Sequence, residues 1–591
     1  MRSMAACRRL AAPIFALGLL LVSVVPATAA DLSFSGAGWG HGVGLSQYGA
    51  KAMGADGASY SQIIHRYFTG VGIGPLSVAS PGTFVSTDLT PLWVGLIQRS
   101  GMVSFRIESG SANLCFDNAD ACVGTGQAGE TYRFGSDGGG NCVFLRLTTP
   151  AEVQAVGLSG SCAASVRPLT AETTITIPFK ARSYRHGFLR FRQGPTTGEI
   201  HTVYEIGVDD YMRGLSEVPE SWPMAAIEAQ VVVSRSFAVW HALDRGGGDN
   251  FTIAQRDDCF CNLRDDASDQ VFLGWTGEVS HPRWVSAVLS TAQQVMHSAK
   301  GVALGLYSSS SGGATENYAD VFGEGSHPYL ATVGDSPAFS VSAANPHRNW
   351  GAGYGQASLA TLYGFSWLTN AEVIERNDSG SARTVRLTGI VDGRPTEITV
   401  SGVGLQTSLS LRSTSFEITM SARFSDVAID HSFAGEILGL SELGITLGCS
   451  AVAFCPRQPV SRAEMAAFLT RATEIPPSVG GTPFTDVGGH HLEAEISALY
   501  ANGITSGCTA TQFCPERLVT RAEMAAFLVR AFDLGVSTAV PFTDVDGHHL
   551  EAEISALYAN GITSGCTATQ FCPERPVTRA EMAAFIVRSL A

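Results

Sequence analysis

Glu217 stands in a short loop, Leu215-Ser-Glu-Val-Pro-Glu-Ser-Trp-Pro223, between two helical patterns. Leu215, Val218, Pro219 and Trp222 would desolvate its carboxyl and raise its pKa toward that of a general acid. The helix end that follows would pull the other way, and a capping or surface role is the plain alternative for a loop glutamate. A second stretch places Gly36, Gly38, Gly40, Gly42 and Gly44 at every second position, followed by Ser46 and Gln47. In an extended chain these glycines share one face, and Ala37, Trp39, His41, Val43 and Leu45 share the other. A bare face admits another backbone or a flat ligand. A third stretch, Ser308 to Glu316, is rich in hydroxyls and glycine after a strand pattern at Val302–Tyr307, which suits ligand binding, an oxyanion element or simply a flexible loop.

Two familiar chemistries do not fit. The alternating glycines lack the preceding apolar strand and immediate helix of a dinucleotide fingerprint. Ser46 and His41 have neither a nucleophile elbow nor a placed acid, so a serine hydrolase is not supported. No metal and no cofactor are expected.

The elements that must hold these residues are partly legible. Met224 to Leu243 reads as a helix, with Pro223 suited to its first turn and Ile227, Val231 and Ala238 on a buried face. Gln230 and Ser234 lie four apart and Arg235 follows, which makes a polar stripe. A shorter helix begins near Ser59, with Ile63, Ile64 and Tyr67 on one side. Residues 80–180 alternate as strands do, for example Val103–Ile107 and Cys142–Leu147, and carry no recognisable chemistry.

At 591 residues the chain is long enough for two to four domains. Residues 1–30 read as a secretory signal peptide: Arg2, Arg8 and Arg9, an apolar run from Leu10 to Val25, and Ala27-Thr28-Ala29 as a cleavage site. Its removal takes away three positive charges, moving the net charge from -15 to -18. An acidic mature chain argues against nucleic acid as a partner. Of 13 cysteines, Cys7 leaves with the signal. The rest fall in close pairs that suit disulfides in an oxidising compartment: Cys115/Cys122, Cys142/Cys162, Cys449/Cys455, Cys508/Cys514 and Cys566/Cys572. Cys259 and Cys261 pair least readily.

From Phe424 the chain repeats. Phe424-Ser-Asp-Val, Phe484-Thr-Asp-Val and Phe542-Thr-Asp-Val open three similar units, each unable to close a core alone. Glu551 to Tyr558 has helical apolar spacing and Asn560-Gly561 ends it. Thr578 and Glu581 then have capping-box spacing ahead of a second helix.

These units resemble the S-layer homology family in their F-x-D-V opening, G-I-T-x-G middle and T-R-A-E helix start. The resemblance implies a three-unit bundle that binds a secondary cell-wall polysaccharide, with Arg462, Arg521 and Arg579 contacting an anionic glycan. The other reading of Thr-Arg-Ala-Glu is a helix cap with arginine on the solvated face.

Residues 31–422 resemble the stage II sporulation protein D (SpoIID/LytB) family. The matching motifs are G-W-G-H-G-V-G-x-S-Q-Y-G-A, S-E-V-P-x-S-W-P with its helix, Y-S-S-S-S-G-G-x-T-E, and residues 340–416 with His347-Arg-Asn-Trp350 and Leu411-Arg-Ser-Thr-Ser-Phe416. The first motif here precedes the others instead of ending the domain, as in a circular permutation with adjacent termini. The resemblance implies a lytic transglycosylase that cuts peptide-free peptidoglycan strands, with Glu217 as its catalytic acid. His41, Ser46, Gln47, Gln230, Arg235, Ser309 and Ser310 would line the cleft, although a structural hydrogen bond suits His41 equally. The alternative is a non-catalytic glycan-binding enhancer of a peptidoglycan amidase. The expected architecture is an α+β region with a β-rich N-terminal portion, then an all-α three-repeat bundle. Its expected divisions are 1–30, 31–76, 77–180, 181–422, 423–478, 479–537 and 538–591. The expected location is the cell wall or surface.

Overall fold

The computed structural model describes residues 31–590 apart from 120, 149–152, 324, 326, 392–393, 421–423, 429–430, 451, 479–480 and 536–539. The expected signal peptide lies outside the described residues.

Alternation builds the β-rich portion. The strand Met102–Ser109 buries Val103, Phe105 and Ile107 and turns Met102 and Arg106 outward. It belongs to a six-stranded sheet; a second sheet of seven strands has Ile200–Ile206 between Leu92–Ser100 and Gly187–Gln193. Phe105, Phe134, Phe144 and Phe191 form one aromatic core, with Phe134 and Phe191 stacked at 4.4 Å. The expected boundary at 180 therefore falls between strands of one fold, which continues to Ile206. Ile200–Ile206 is buried along its whole length, so it shows none of the alternation that marked its neighbours.

The helix Met224–Arg245 runs through the same core, with Ile227, Val231 and Ala238 buried. Pro223 sits at its N-cap, one position before the first turn. The helix Tyr60–Tyr67 starts from a Ser59/Gln62 capping box.

The glycine-rich stretch differs from expectation. It is not an extended strand with one bare face, because Gly38, Gly40, Gly42 and Gly44 have φ of +91°, +108°, +75° and +77°. Alternate left-handed residues fold it into a loop pressed on Leu306 to Glu316. A Cβ at Gly44 would lie 2.2 Å from the Leu306 carbonyl oxygen, so glycine is required on both grounds. The expected strand at 302–307 is likewise reduced to Gly301–Val302 and Tyr307–Ser308. Between them Gly305 passes the helix so closely that a Cβ would lie 2.2 Å from the Val233 carbonyl oxygen.

The strand Asp31–Gly36 lies between Trp350–Gly355 and Phe416–Met420, pairing Leu32 with Met420 and Gly36 with Phe416. The two ends of residues 31–422 are thus neighbours in one sheet.

The three repeats contribute helices at Ala434–Glu442 and Arg462–Ala472, Glu493–Ala501 and Arg521–Phe532, and Glu551–Ala559 and Arg579–Leu590. One apolar core joins them. Backbone bonds close them into a ring: Val519 N–H donates to Val460, Val577 to Val519 and Val460 to Val577, at 2.9, 2.9 and 3.0 Å.

Candidate functional site

A cavity of about 750 Å³ opens beside the helix Met224–Arg245. Glu217, His41, Gln47 and Ser309 line it with Trp39, Trp240, Gln270, Tyr307 and Phe322.

Glu217 is carried by the loop between the helices Val208–Arg213 and Met224–Arg245, anchored by buried Leu215, Val218 and Trp222. Gln47 donates to the Glu217 backbone oxygen at 3.1 Å. The second glutamate of the loop has a different duty. Glu220 accepts from Arg283 N–H and Trp284 N–H, both at 2.9 Å, at the start of the helix Pro282–Ser290. Burial pushes the Glu217 pKa up to about 7, opposed by a hydrogen bond with the Tyr307 hydroxyl. Of the two influences left open by the loop's position, desolvation wins.

Tyr307 is itself held. Its hydroxyl accepts from Gln270 Nε2 at 3.2 Å, and Gln270 Oε1 accepts from the Tyr211 hydroxyl at 3.1 Å. Two other carboxylates lie on the cavity wall. Asp269 is clasped by Arg245 at 2.6 and 2.9 Å and takes the Arg264 N–H at 2.8 Å. Asp266 accepts from the Ser268 hydroxyl and N–H, which hold its pKa below the ordinary value. Glu217 is left as the wall carboxyl able to carry a proton near neutrality.

His41 Nδ1 accepts from Val43 N–H at 3.0 Å, and the ring also bonds the Tyr307 carbonyl. Burial lowers its pKa to about 4, so it is a neutral imidazole that ties the glycine loop to Tyr307.

Four expected cleft residues stand behind the wall instead. Ser46 is buried, and its Oγ accepts from Gly49 N–H at 3.4 Å and Ser311 N–H at 3.5 Å. Ser310 is buried and accepts from Asn345 Nδ2 at 2.9 Å. Gln230 is buried and donates to the Ser234 hydroxyl at 3.0 Å. Arg235 is fully enclosed, bonded to Asp209 at 2.9 Å and to the carbonyls of Thr291 and Gln294 at 2.9 and 3.1 Å. The helix is packed nearly all round, so its polar stripe serves neighbouring segments, and Phe237, Trp240, His241 and Arg245 face the cavity. Sequence reading missed Trp39, Trp240, Gln270 and Tyr307. Tyr307 had one local signal, its place directly before the serine run.

In the repeats, Arg462, Arg521 and Arg579 do not lie on a solvated face. Each is 4% exposed or less. Each reaches from its own repeat into another: Arg462 Nε donates to Phe513 O at 2.8 Å, Arg521 to Phe571 O at 2.7 Å and Arg579 to Phe454 O at 2.8 Å. Glu523, Glu581 and Glu464 pair with them at 3.4, 3.0 and 3.5 Å. Ser461/Glu464, Thr520/Glu523 and Thr578/Glu581 form capping boxes. Disulfides join Cys115–Cys122, Cys142–Cys162, Cys449–Cys455, Cys508–Cys514 and Cys566–Cys572, and Cys259 pairs with Cys261.

Residues 196–297 match the family model of the stage II sporulation protein, and residues 423–466, 483–525 and 541–583 match that of the S-layer homology domain. The chain is 31% identical over 182 residues to the surface-layer 125 kDa protein of Lysinibacillus sphaericus, covering 29% of this chain and 15% of that protein. It is 32% identical over 171 residues to an endoglucanase of Bacillus sp. (strain KSM-635), covering 28% and 18%. An uncharacterised cell wall amidase of Bacillus anthracis is 30% identical over 141 residues, covering 23% and 26%. The chain thus spans only a small part of the length of these relatives. Among the described residues no helix is long and apolar enough to cross a membrane. The chain carries a stage II sporulation protein domain followed by three S-layer homology repeats, and belongs to the cell surface or cell wall.

Proposed function

We propose that the cavity is the active site of a lytic transglycosylase that cuts peptide-free peptidoglycan strands. The observation that carries this is Glu217: one carboxyl with its pKa near 7, in an aromatic-walled cavity whose other wall carboxylates are engaged. A hydrolysing glycosidase needs two carboxyl groups, one as acid and one as nucleophile or base. An intramolecular reaction needs one. Protonated Glu217 gives its proton to the glycosidic oxygen as the bond to the muramic acid C1 breaks. The resulting carboxylate takes the proton of the same sugar's 6-hydroxyl as that oxygen bonds to C1. The 1,6-anhydro ring closes, Glu217 regains its proton, and no water is consumed. A pKa near 7 suits both halves of that cycle.

Trp39 and Trp240 would stack on sugar faces, while Gln47 and Tyr307 hold the Glu217 backbone and carboxyl. The repeats would bind a secondary cell-wall polysaccharide and keep the cavity at high local concentration near its substrate.

The test is product analysis with purified protein and peptide-free strands. Anhydro-muramic ends are expected from wild type, with a loss of at least about a hundredfold in Glu217→Gln. If no anhydro product forms, or the variant keeps full activity, the site is a glycan-binding one. The enhancer role would then be tested by adding a peptidoglycan amidase.

A further inference from the structure

A line of aromatic rings leaves the cavity at Trp39. Trp39 meets His347 edge-on at 4.6 Å between centroids, His347 meets Tyr48 at 5.5 Å, and Tyr48 meets Trp222 at 5.0 Å. The line begins on the cavity wall and ends in the loop that carries Glu217. Two cations lie over it. The Arg412 guanidinium is 5.1 Å from the Trp39 ring, and the Lys51 ammonium is 5.4 Å and 5.5 Å from Tyr48 and Trp222. Among the described residues neither cation has a carboxylate partner. That contrasts with Arg235, Arg245, Lys180 and Arg182, each of which is paired with an aspartate. In a chain of net charge -15, ring faces hold these two cations in place without neutralising them. Burial and the Arg412 charge both lower the pKa of His347, so the ring between them adds no charge of its own at neutral pH.

We infer that this line is an outer subsite for a glycan strand bearing free carboxylates, such as the lactyl groups left when stem peptides are removed. The inference rests on reading the cavity as a glycan site. The exposed ring of Trp39 takes the apolar face of a sugar, while buried Trp222 backs Tyr48 and Lys51, and each cation takes a carboxylate through charge-assisted hydrogen bonds. Joining a lactyl group to a peptide by an amide bond removes the carboxylate held next to the sugar, and the charges that the peptide brings lie farther along it. Arg412 and Lys51 would thus read the lactyl carboxylates at binding, before any bond is cut.

The test is a binding measurement on the full chain carrying Glu217→Gln, which keeps the strand intact. The probes are peptide-free strands and a chitin hexasaccharide, a related sugar chain without carboxylates. Adding Arg412→Gln or Lys51→Gln should weaken strand binding about three- to tenfold and leave the hexasaccharide unchanged. Raising the salt concentration should shrink the difference. Unchanged strand affinity in both variants would overturn the inference. So would an equal loss on the hexasaccharide, because the cations would then act through packing alone. Cleavage is read separately, from anhydro ends made by the chain with Glu217 intact. A failure there removes the transglycosylase reading and leaves the binding result standing.

Discussion

The hydroxyl of Tyr307 is hydrogen-bonded to the carboxyl of Glu217, and the two groups shift each other's proton affinity. Burial raises the Glu217 pKa to about 7, and the hydroxyl bond offsets part of that rise by stabilising the carboxylate. Tyr307 in turn is pushed well above its ordinary range, first by burial and then by the neighbouring Glu217 charge. It stays protonated and donates throughout the working pH range.

Replacing Tyr307 by Phe removes the interaction that lowers the Glu217 pKa, so that pKa rises above about 7. The basic limb of the kcat/KM profile for strand cleavage should move to higher pH. Lost orientation of the carboxyl should lower kcat about tenfold. A full pH profile separates this from simple damage, which lowers the rate without moving the limb.

Glu217 should cost stability in a pH-dependent way. Its folded pKa, about 7, lies above the ordinary 4.5, so the folded chain holds a proton that the unfolded chain releases. The cost is absent below about 4.5, grows between the two values and is complete above 7. Glu217→Gln should therefore be more stable than wild type at pH 8, by up to roughly 3 kcal/mol, and equal to it at pH 4. Urea unfolding at the two pH values checks this, and a difference independent of pH would refute burial as its cause.

Arg579→Ala removes a side-chain link from the third repeat back to the first, leaving Phe454 O and Glu464 without that partner while the backbone bonds between the two repeats remain. A loss of about 2–4 kcal/mol is expected in the unfolding of the repeats, seen by calorimetry as a lowered transition. Anhydro-product formation by the cavity should not change. An arginine serving only as a polymer ligand would leave the transition where it is.

The features that were legible are those whose physics is local. The apolar residues around Glu217 lie within a few positions of it, so desolvation could be named from the loop, while its balance against the helix end was left to the fold. The capping boxes at Ser461, Thr520 and Thr578 each need two residues three apart. The cysteine pairs lie close in the chain. Alternation found the strands with one buried face and passed over Ile200–Ile206, buried on both.

What the sequence by itself determined was the set of parts: three repeats, a loop glutamate with an apolar collar, a run of alternating glycines, and disulfide-ready loops. The tertiary structure decided which polar groups face the cavity and which hold the protein together. Arg235 and Arg462 carry the same charge as Arg412, and only packing against Asp209 or against Phe513 O encloses the first two. Tyr307 meets Glu217, and Trp39 meets His347, across hundreds of residues of intervening chain or nearly a hundred. Burial and pairing at such separations depend on how distant segments close on one another, and no short window of sequence records that.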